Sequence, residues 1–338
     1  MKILLLLDIQ LKQHIVKTVR CIACDGAAAE RRAVALATRE LLSGATLVIR
    51  DPAHALRIAI KQPLHSDAVF GSLWRHLFDG ENALVPDIMY SAKWHNLLTA
   101  IQTDLAAVVA MPGVAQPLAS IFRNLAFAKQ RFDSTAEPVV KVALMLLPLC
   151  VLLAHMSSDR RLDKEKRDRA AGILQLMNSN MCMALGVSAD WGLICQWFLR
   201  RFDVSAHDIA QSRLEINCMI ETIEAVFLRG RMFEGVISTA NAGGETDEPL
   251  PKGPGASGAC PEPGFITHTV MRNLRKTYVF YADGRPVLLW GEPLAADKKE
   301  IIERTQNIAY LTIERLKADF PNNDDRSNCL LYTSPSPR

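Results

Sequence analysis

The apolar run from Val142 to Ala154, VALMLLPLCVLLA, constrains the fold more than any other stretch of the chain. It has 13 residues, whereas a membrane-spanning helix needs about 20. The run contains Pro148, which cannot donate a backbone hydrogen bond and clashes with the preceding turn of a helix. We therefore predict a buried core helix with a kink or break near Pro148, and no membrane span.

The composition of the 338-residue chain is that of a globular protein, with 49% hydrophobic and 22% charged residues. The formal net charge is +3, and basic and acidic residues are interspersed along the sequence. We therefore expect no nucleic acid among the partners of this protein. The N-terminal segment MKILLLLDIQ lacks the longer apolar core and the cleavage site of a signal peptide, which predicts a cytoplasmic protein.

Residues 1–62 are predicted to form a small α/β unit. The segments KILLLL (2–7) and ATLVIRD (45–51) indicate two strands with helices between them. This order favours a parallel pair joined by a right-handed crossover. The unit is similar at most to a fragment of a receiver module, because the acidic cluster of a receiver is missing. Helices of this unit are predicted at 11–19, at 27–43 and from Pro52 onward.

The remainder of the chain is predicted to be mainly helical. Residues 63–237 form a helical core domain, because their apolar positions recur at steps of three and four. Residues 238–264 are rich in Gly and Pro and predict a flexible linker or loop. Residues 265–328 are predicted to form a β-hairpin around Ala-Asp-Gly-Arg-Pro and then a helix over 295–318. The predicted fold class is mainly α: a helical core domain with a small α/β N-terminal unit and a C-terminal β-hairpin plus helix. We also expect the hairpin and the N-terminal strands to share one small sheet, because isolated strand pairs are marginally stable.

The cysteine pattern indicates reduced thiols rather than a disulfide framework, because the eight cysteines are scattered and several fall within predicted helices. Cys21 and Cys24 have the CxxC spacing of zinc sites and redox motifs. A zinc site needs further ligands, and His14 is the only nearby candidate; a redox motif opens a helix after a strand. We favour a structural role for this pair. The cysteines expected to be buried in helices are Cys150, Cys182, Cys195 and Cys218.

Trp191, Trp197 and Phe198 form an aromatic cluster in the segment DWGLICQWFLRRFD. Such a cluster can stack on a ligand or anchor a hydrophobic core. We predict core anchors, because the neighbouring apolar residues complete one face of a helix. Arg200 and Arg201 are then expected to extend to solvent.

Candidate metal ligands follow the apolar run and begin the long amphipathic helix. His155 lies at the end of the run, and the adjacent pair His207-Asp208 lies at the start of the later helix. Imidazole and carboxylate groups are suitable ligands for a hydrolytic metal ion. The candidate catalytic residues are His155, Asp159, His207 and Asp208, of which His155, His207 and Asp208 are candidate metal ligands. In the alternative interpretation, Asp208 caps its own helix in a capping box with Ser205.

Residues 119–174 resemble the central helices of HD-type phosphohydrolases and their signalling relatives. In this family an apolar helix ends in Leu-Leu-His-Asp, and the segment LLAHM that ends at Met156 takes that place. The segment ALGVSADWGLICQWFLRRFDV is similar to the following part of the non-catalytic HD-related output domains, so the resemblance covers about 115–230. Met156 replaces the family's Asp, and Arg123 lies near the position of its first His. Because the His-Asp pair bridges the metals in that family, the resemblance implies a non-catalytic member.

Three functions stay open at this point. The first is a non-catalytic bacterial regulatory or signalling protein whose helical domain binds a protein partner or a small nucleotide. The second is a metal-dependent phosphohydrolase with a rearranged His/Asp site, and it is the only one that requires a cofactor, a divalent metal. The third is a helical scaffold or docking protein of a secretion, transfer or defence system.

The C-terminal segment CLLYTSPSPR, residues 329–338, is not expected to be native. Its reverse translation, TGT CTC TTA TAC ACA TCT CCG AGC CCA CGA, spells a transposase sequencing adapter, whose first base the codon of Asn328 supplies. We expect adapter read-through in an assembled environmental bacterial sequence, so Asn328 is not expected to mark the natural C-terminus. Removing the segment leaves seven of the eight cysteines and lowers the formal charge from +3 to +2.

Overall fold

A computed structural model describes residues 21–24, 32–37, 47–50, 52–79, 83–109, 132–202, 209–234 and 263–320. The chain divides into two compact units, residues 1–58 and residues 59–338. The described residues are mostly helical, which confirms the predicted fold class.

The first unit contains a two-stranded parallel sheet. Strand β1 (Cys21–Cys24) pairs with β2 (Leu47–Arg50), with Cys21 opposite Leu47, and a helical stretch lies at 32–37. The strand predicted at 45–51 is confirmed as β2, and its described neighbour is the CxxC segment, which was not predicted to be a strand. Helix α1 (Pro52–Ser66) begins at the predicted proline. The strand predicted at 2–7 and the helix predicted at 11–19 lie outside the described residues.

The second unit is built from helices and a C-terminal hairpin. Five-residue π-helical turns at Arg75–Asp79 and Glu224–Leu228 continue the helices that end at Trp74 and Ile223, and a 3₁₀ turn lies at Arg231–Phe233. The helices are α2 (Ala68–Trp74), α3 (Leu84–Tyr90), α4 (Ala92–Val109), α5 (Phe132–Leu144), α6 (Leu146–Ser158), α7 (Lys164–Leu176), α8 (Ser179–Phe202), α9 (Ile209–Ile223), α10 (Phe265–Leu274) and α11 (Ala295–Asp319).

Helix α8 lies at the centre of the second unit, and all residues from 181 to 192 are buried. It packs on α5 and α10. By length and composition alone α8 could cross a membrane, and 83% of its most apolar window is buried within the fold. Such burial is typical of a core helix, whose whole surface contacts other elements.

The predicted break in the apolar run lies between α5 and α6. The two helices meet at Met145 and are bent by 77°. Pro148 is the third residue of α6. The N–H groups in the first turn of a helix have no intrahelical acceptor, so the missing N–H of proline costs no hydrogen bond there. The ring of Pro148 would clash with the carbonyl of Leu144 in a continuous helix, so α5 ends at Leu144. The run is therefore a buried segment, as predicted, with its break three residues before the proline.

The four cysteines that were expected in helices are free and buried: Cys150, Cys182, Cys195 and Cys218. Burial raises the pKa of each of these thiols above the ordinary range. These thiols are therefore protonated and unreactive at neutral pH, and the predicted burial of these four cysteines in helices is confirmed.

The C-terminal hairpin consists of β3 (Tyr278–Ala282) and β4 (Arg285–Trp290) in antiparallel pairing. Asp283 and Gly284 join them with φ angles of 47° and 76°, the left-handed values that a tight hairpin turn requires. The indole N–H of Trp290 donates to the carbonyl of Met177 at 2.8 Å, and the N–H of Asp283 donates to the hydroxyl of Ser158 at 3.0 Å. The hairpin is thus attached to the helices at both its ends.

One further expectation is corrected by the described strands. They form two separate two-stranded sheets, β1–β2 and β3–β4, so the prediction of one shared sheet is wrong for them. The hairpin instead buries Phe280, Leu288 and Trp290 against α6 and α7, which supply the second layer it needs.

Helix α11 (Ala295–Asp319) confirms the helix predicted at 295–318. Helix α10 was not predicted.

Helix α11 is connected to the beginning of the second unit through one cap. The carboxylate of Asp67 accepts hydrogen bonds from the N–H groups of Val69 and Phe70 at the start of α2, at 2.8 and 3.1 Å. Its other oxygen pairs with Arg304 of α11 at 3.1 Å. One side chain therefore both begins α2 and positions the helix that follows the hairpin.

Candidate functional site

A buried carboxylate in α8 positions helix α10. Asp190 is 1% exposed and accepts hydrogen bonds from the N–H groups of Ile266 and Thr267, at 3.1 and 2.8 Å. The hydroxyl of Thr267 donates to the same carboxylate at 2.6 Å. These donors belong to the first turn of α10, whose N–H groups have no intrahelical acceptor. Asp190 therefore acts as the N-terminal cap of α10, although it belongs to another helix.

Two glycines allow this close approach. A Cβ on Gly186 would lie 2.9 Å from the Cα of Thr267, so only glycine lets the backbones of α8 and α10 come this near. Gly186 lies one helical turn before Asp190, on the same face of α8. Gly264 precedes α10 with a φ of 77°, and a Cβ there would lie 2.6 Å from the carbonyl oxygen of Met232. The start of α10 is thus fixed from two sides.

Burial raises the pKa of Asp190 from 3.8 to about 6, and the hydrogen bonds from Thr267 and Ile266 oppose that rise. The nearby His268 also opposes it. Asp190 is therefore ionised at neutral pH, in a site that the positive end of the α10 dipole favours for an anion.

The solvent side of α10 lines a cleft of about 290 Å³. Glu292, after β4, and Lys298, in α11, also line it. Residues 265, 268, 269 and 272 of α10, and Arg275 at its C-terminal end, follow one another at helical spacing, so they present one face to the cleft. We call this space the α10 cleft; it is lined by Phe265, His268, Thr269, Met271, Arg272, Arg275, Glu292 and Lys298.

The charges of the α10 cleft are predominantly positive. Lys298 pairs with Glu292 at 2.7 Å, and this hydrogen bond lowers the pKa of the Glu292 carboxyl. Arg272 and Arg275 are exposed on the facing helix. The Arg275 guanidinium also lowers the pKa of Glu292, so this carboxylate interacts with both cations. Three cations and one carboxylate, Arg272, Arg275, Lys298 and Glu292, leave a net charge of +2 to attract an anion.

His268 connects the cleft to the 3₁₀ turn. Its Nε2 lies 3.0 Å from the carbonyl oxygen of Met232. Because a carbonyl can only accept, Nε2 is the donor of this hydrogen bond. The ring is thereby held in one orientation at the wall of the cleft.

The predicted candidates lie elsewhere, as far as the structure describes them. His155 is exposed in the last turn of α6. Asp159 follows that helix; it accepts the N–H of Arg161 at 3.0 Å and pairs with Lys93 at 3.0 Å, and these bonds lower its carboxyl pKa. His207 and Asp208 lie outside the described residues. Among the residues that are described, no group of three His, Cys, Asp or Glu side chains could hold a metal ion.

The aromatic cluster of α8 anchors the core, as predicted for Trp191 and Phe198, which are buried. Arg201 differs from the expectation that it extends to solvent. Its guanidinium stacks 3.5 Å from the ring centre of Trp197 and pairs with the buried carboxylate of Glu215 in α9. Because Glu215 is 1% exposed and needs a counter-charge, it holds Arg201 in the fold, whereas Arg200 is exposed.

The residues of the cleft were missed because α10 itself was not predicted. A signal was present: Ile266, Val270 and Leu274 recur at steps of four and are buried. Such a pattern predicts a helix whose other face, with Arg272 and Arg275, is exposed. The role of Asp190 had no comparable signal, because its partners are 76 and 77 residues away.

Comparisons of the chain with protein-family models, with curated proteins and with solved structures found no match.

Proposed function

We propose that this chain is a helical regulatory protein that binds an anionic ligand in the α10 cleft without converting it. The observation that carries the proposal is the excess of cations in the cleft: Arg272, Arg275 and Lys298 line it with the carboxylate of Glu292, so two positive charges remain to attract a negative group. Guanidinium groups bind carboxylates and phosphates with paired hydrogen bonds, so two of them at one wall favour such a ligand.

The position of α10 supports a regulatory role. Its N-terminus is fixed to the core helix α8 by Asp190, and its exposed face lines the cleft. A ligand that pulls on Arg272 or Arg275 therefore acts on a helix with a direct connection to the core. This is the kind of arrangement through which binding changes the population of a conformation.

The part of the proposal that the ligand is bound without being converted rests on the sequence. The family that the chain resembles needs a His-Asp pair, and this chain has His155-Met156 in that place. The phosphohydrolase alternative stays a prediction, because His207 and Asp208 lie outside the described residues.

Calorimetric titration with inorganic phosphate at low ionic strength tests the proposal. We expect binding that the double variant Arg272→Gln/Arg275→Gln weakens at least about tenfold, since each charge-assisted hydrogen bond contributes about 1.5–3 kcal/mol. The matched control is Arg160→Gln/Lys164→Gln, which removes the same charge from exposed positions outside the cleft. Equal weakening by both variants would show general charge attraction and contradict a site in the cleft.

A further inference from the structure

Phe265 is the exposed aromatic residue at one end of the α10 cleft. It is 55% exposed, although the other apolar side chains near it on α10, Ile266 and Val270, are buried. Hence Phe265 adds little to the core, and its ring is available at the cleft wall. An exposed aromatic ring in a ligand cleft offers a flat surface on which another ring can stack.

The aromatic and cationic groups lie at different ends of the cleft. Phe265 and Arg272 are seven residues apart on one face of α10, which separates their backbones by about 10 Å. His268 and Thr269 lie between them on that face. A ligand that uses the whole cleft therefore has a planar apolar group at one end and an anion at the other.

The charge and the size of the cleft restrict the ligand further. A phosphate monoester carries a charge of about −1.5 to −2 at neutral pH, which matches Arg272 and Arg275, whereas one carboxylate would leave one of them unmatched. The cleft volume of about 290 Å³ lies at the lower end of the range for small-molecule sites. One small ligand fits such a space.

We propose that the α10 cleft binds a mononucleotide, with its phosphate on Arg272 and Arg275 and its base stacked on Phe265. This inference rests on the proposed function, since it assigns a ligand class to the same site. In this arrangement the two arginines bind any phosphate monoester, and Phe265 gives the preference for one that carries a base.

A titration series measures the contributions of the base and of the phosphate to the affinity separately. The probes are adenosine 5′-monophosphate, guanosine 5′-monophosphate, ribose 5-phosphate and adenosine, with the full chain in the calorimeter. We expect at least one mononucleotide to bind about tenfold or more tightly than ribose 5-phosphate, and adenosine to bind more weakly than that mononucleotide, because stacking and phosphate contacts are then both used.

Three variants assign the contributions of the Phe265 ring and of the two arginines to the affinity. Phe265→Ala is expected to lower mononucleotide affinity to that of ribose 5-phosphate and to leave ribose 5-phosphate unchanged, and Phe265→Tyr to retain the preference. Since Phe265 is exposed, these variants keep the fold, which circular dichroism checks. Arg272→Gln/Arg275→Gln is expected to weaken every phosphate ligand.

The outcomes distinguish this inference from the proposed function. If ribose 5-phosphate binds as tightly as both mononucleotides and the arginine variant weakens it, the nucleotide inference is overturned and the anion site stands. If only an acidic peptide such as hexaglutamate binds, the inference is likewise overturned. If no anion binds at the cleft, both proposals are overturned.

Discussion

The carboxylate of Asp190 in α8 accepts two hydrogen bonds from Thr267 of α10, one from the backbone N–H at 2.8 Å and one from the hydroxyl at 2.6 Å. Both residues are buried, so water cannot replace either bond if it is lost. This pair connects the core helix to the helix that carries the cationic wall of the cleft.

Asp190→Ala is therefore expected to lower the free energy of unfolding by about 3 kcal/mol or more, because it leaves three buried donors without an acceptor. Thr267→Val removes one of these donors and is expected to cost about 1 kcal/mol. Urea unfolding of both variants and of the double variant measures the coupling. As a control, Thr103→Val changes an exposed residue of α4. Additive effects of the two substitutions would contradict a direct bond.

The pH dependence of stability has two opposing contributions, from the buried carboxyl of Asp190 and from the half-buried imidazole of His65. The pKa of Asp190 is raised to about 6, so its contribution to stability is fully present below about pH 4 and is lost as pH rises through 6. The His65 ring packs at a tilt against Trp74, and partial burial lowers its pKa to about 4; its contribution is present above pH 6.5 and is lost as pH falls through 4.

Between pH 4 and 6 the two single variants should therefore differ from the wild type in opposite directions. The stability advantage of the wild type over Asp190→Asn is expected to shrink as pH rises, and its advantage over His65→Phe to grow, each by at most about 1.4 kcal/mol per pH unit. Chemical unfolding at intervals across this range measures both. Parallel curves for the wild type and either variant would show that the residue does not titrate there.

Gly186→Ala and Gly172→Ala form a matched pair of substitutions in neighbouring helices. A Cβ at position 186 would meet the backbone of Thr267 at 2.9 Å, whereas at 172, exposed on α7, it would meet nothing within 4 Å. We expect Gly186→Ala to cost about 1–3 kcal/mol by separating α8 from α10, and Gly172→Ala to add up to about 1 kcal/mol through helix propensity. Thermal unfolding of both variants checks the opposite signs; a neutral Gly186→Ala would disprove the close approach.

Trp290→Phe tests how the hairpin is attached. The substitution keeps an aromatic ring but removes the indole donor that bonds the Met177 carbonyl. We expect a loss of about 1–2 kcal/mol, because the buried carbonyl then keeps only the weak donation from the Cys182 thiol at 3.4 Å. Tyr281→Phe, on the exposed face of the same hairpin, should change stability by less than about 0.5 kcal/mol. A similar effect of both substitutions would mean that the indole bond is not formed.

Local signals in the sequence predicted a large part of the architecture. Asp283-Gly284 marked the hairpin, because few residues adopt left-handed angles, and the helix after it was placed within one residue at its C-terminus. Pro148 marked the break between α5 and α6, since its ring excludes a continuous helix.

The candidate site depended on information that is not local. α10 is only ten residues long and follows the Gly/Pro-rich stretch, which obscured its short apolar pattern. The partners of Asp190 and Arg201 are chosen by the packing of α8 against α10 and α9. The spacing of apolar residues within α8 does not show whether its carboxylate is buried against a distant partner or lies exposed near a helix end.

The bond between Asp190 and Thr267 also has a consequence for synthesis on the ribosome. The two residues are 77 positions apart, so at about 5–20 residues per second Thr267 emerges about 4–15 s after Asp190. During that interval the central helix exists without the partner that covers its carboxylate. The nascent helical body therefore cannot reach its final packing until the C-terminal helices have been translated.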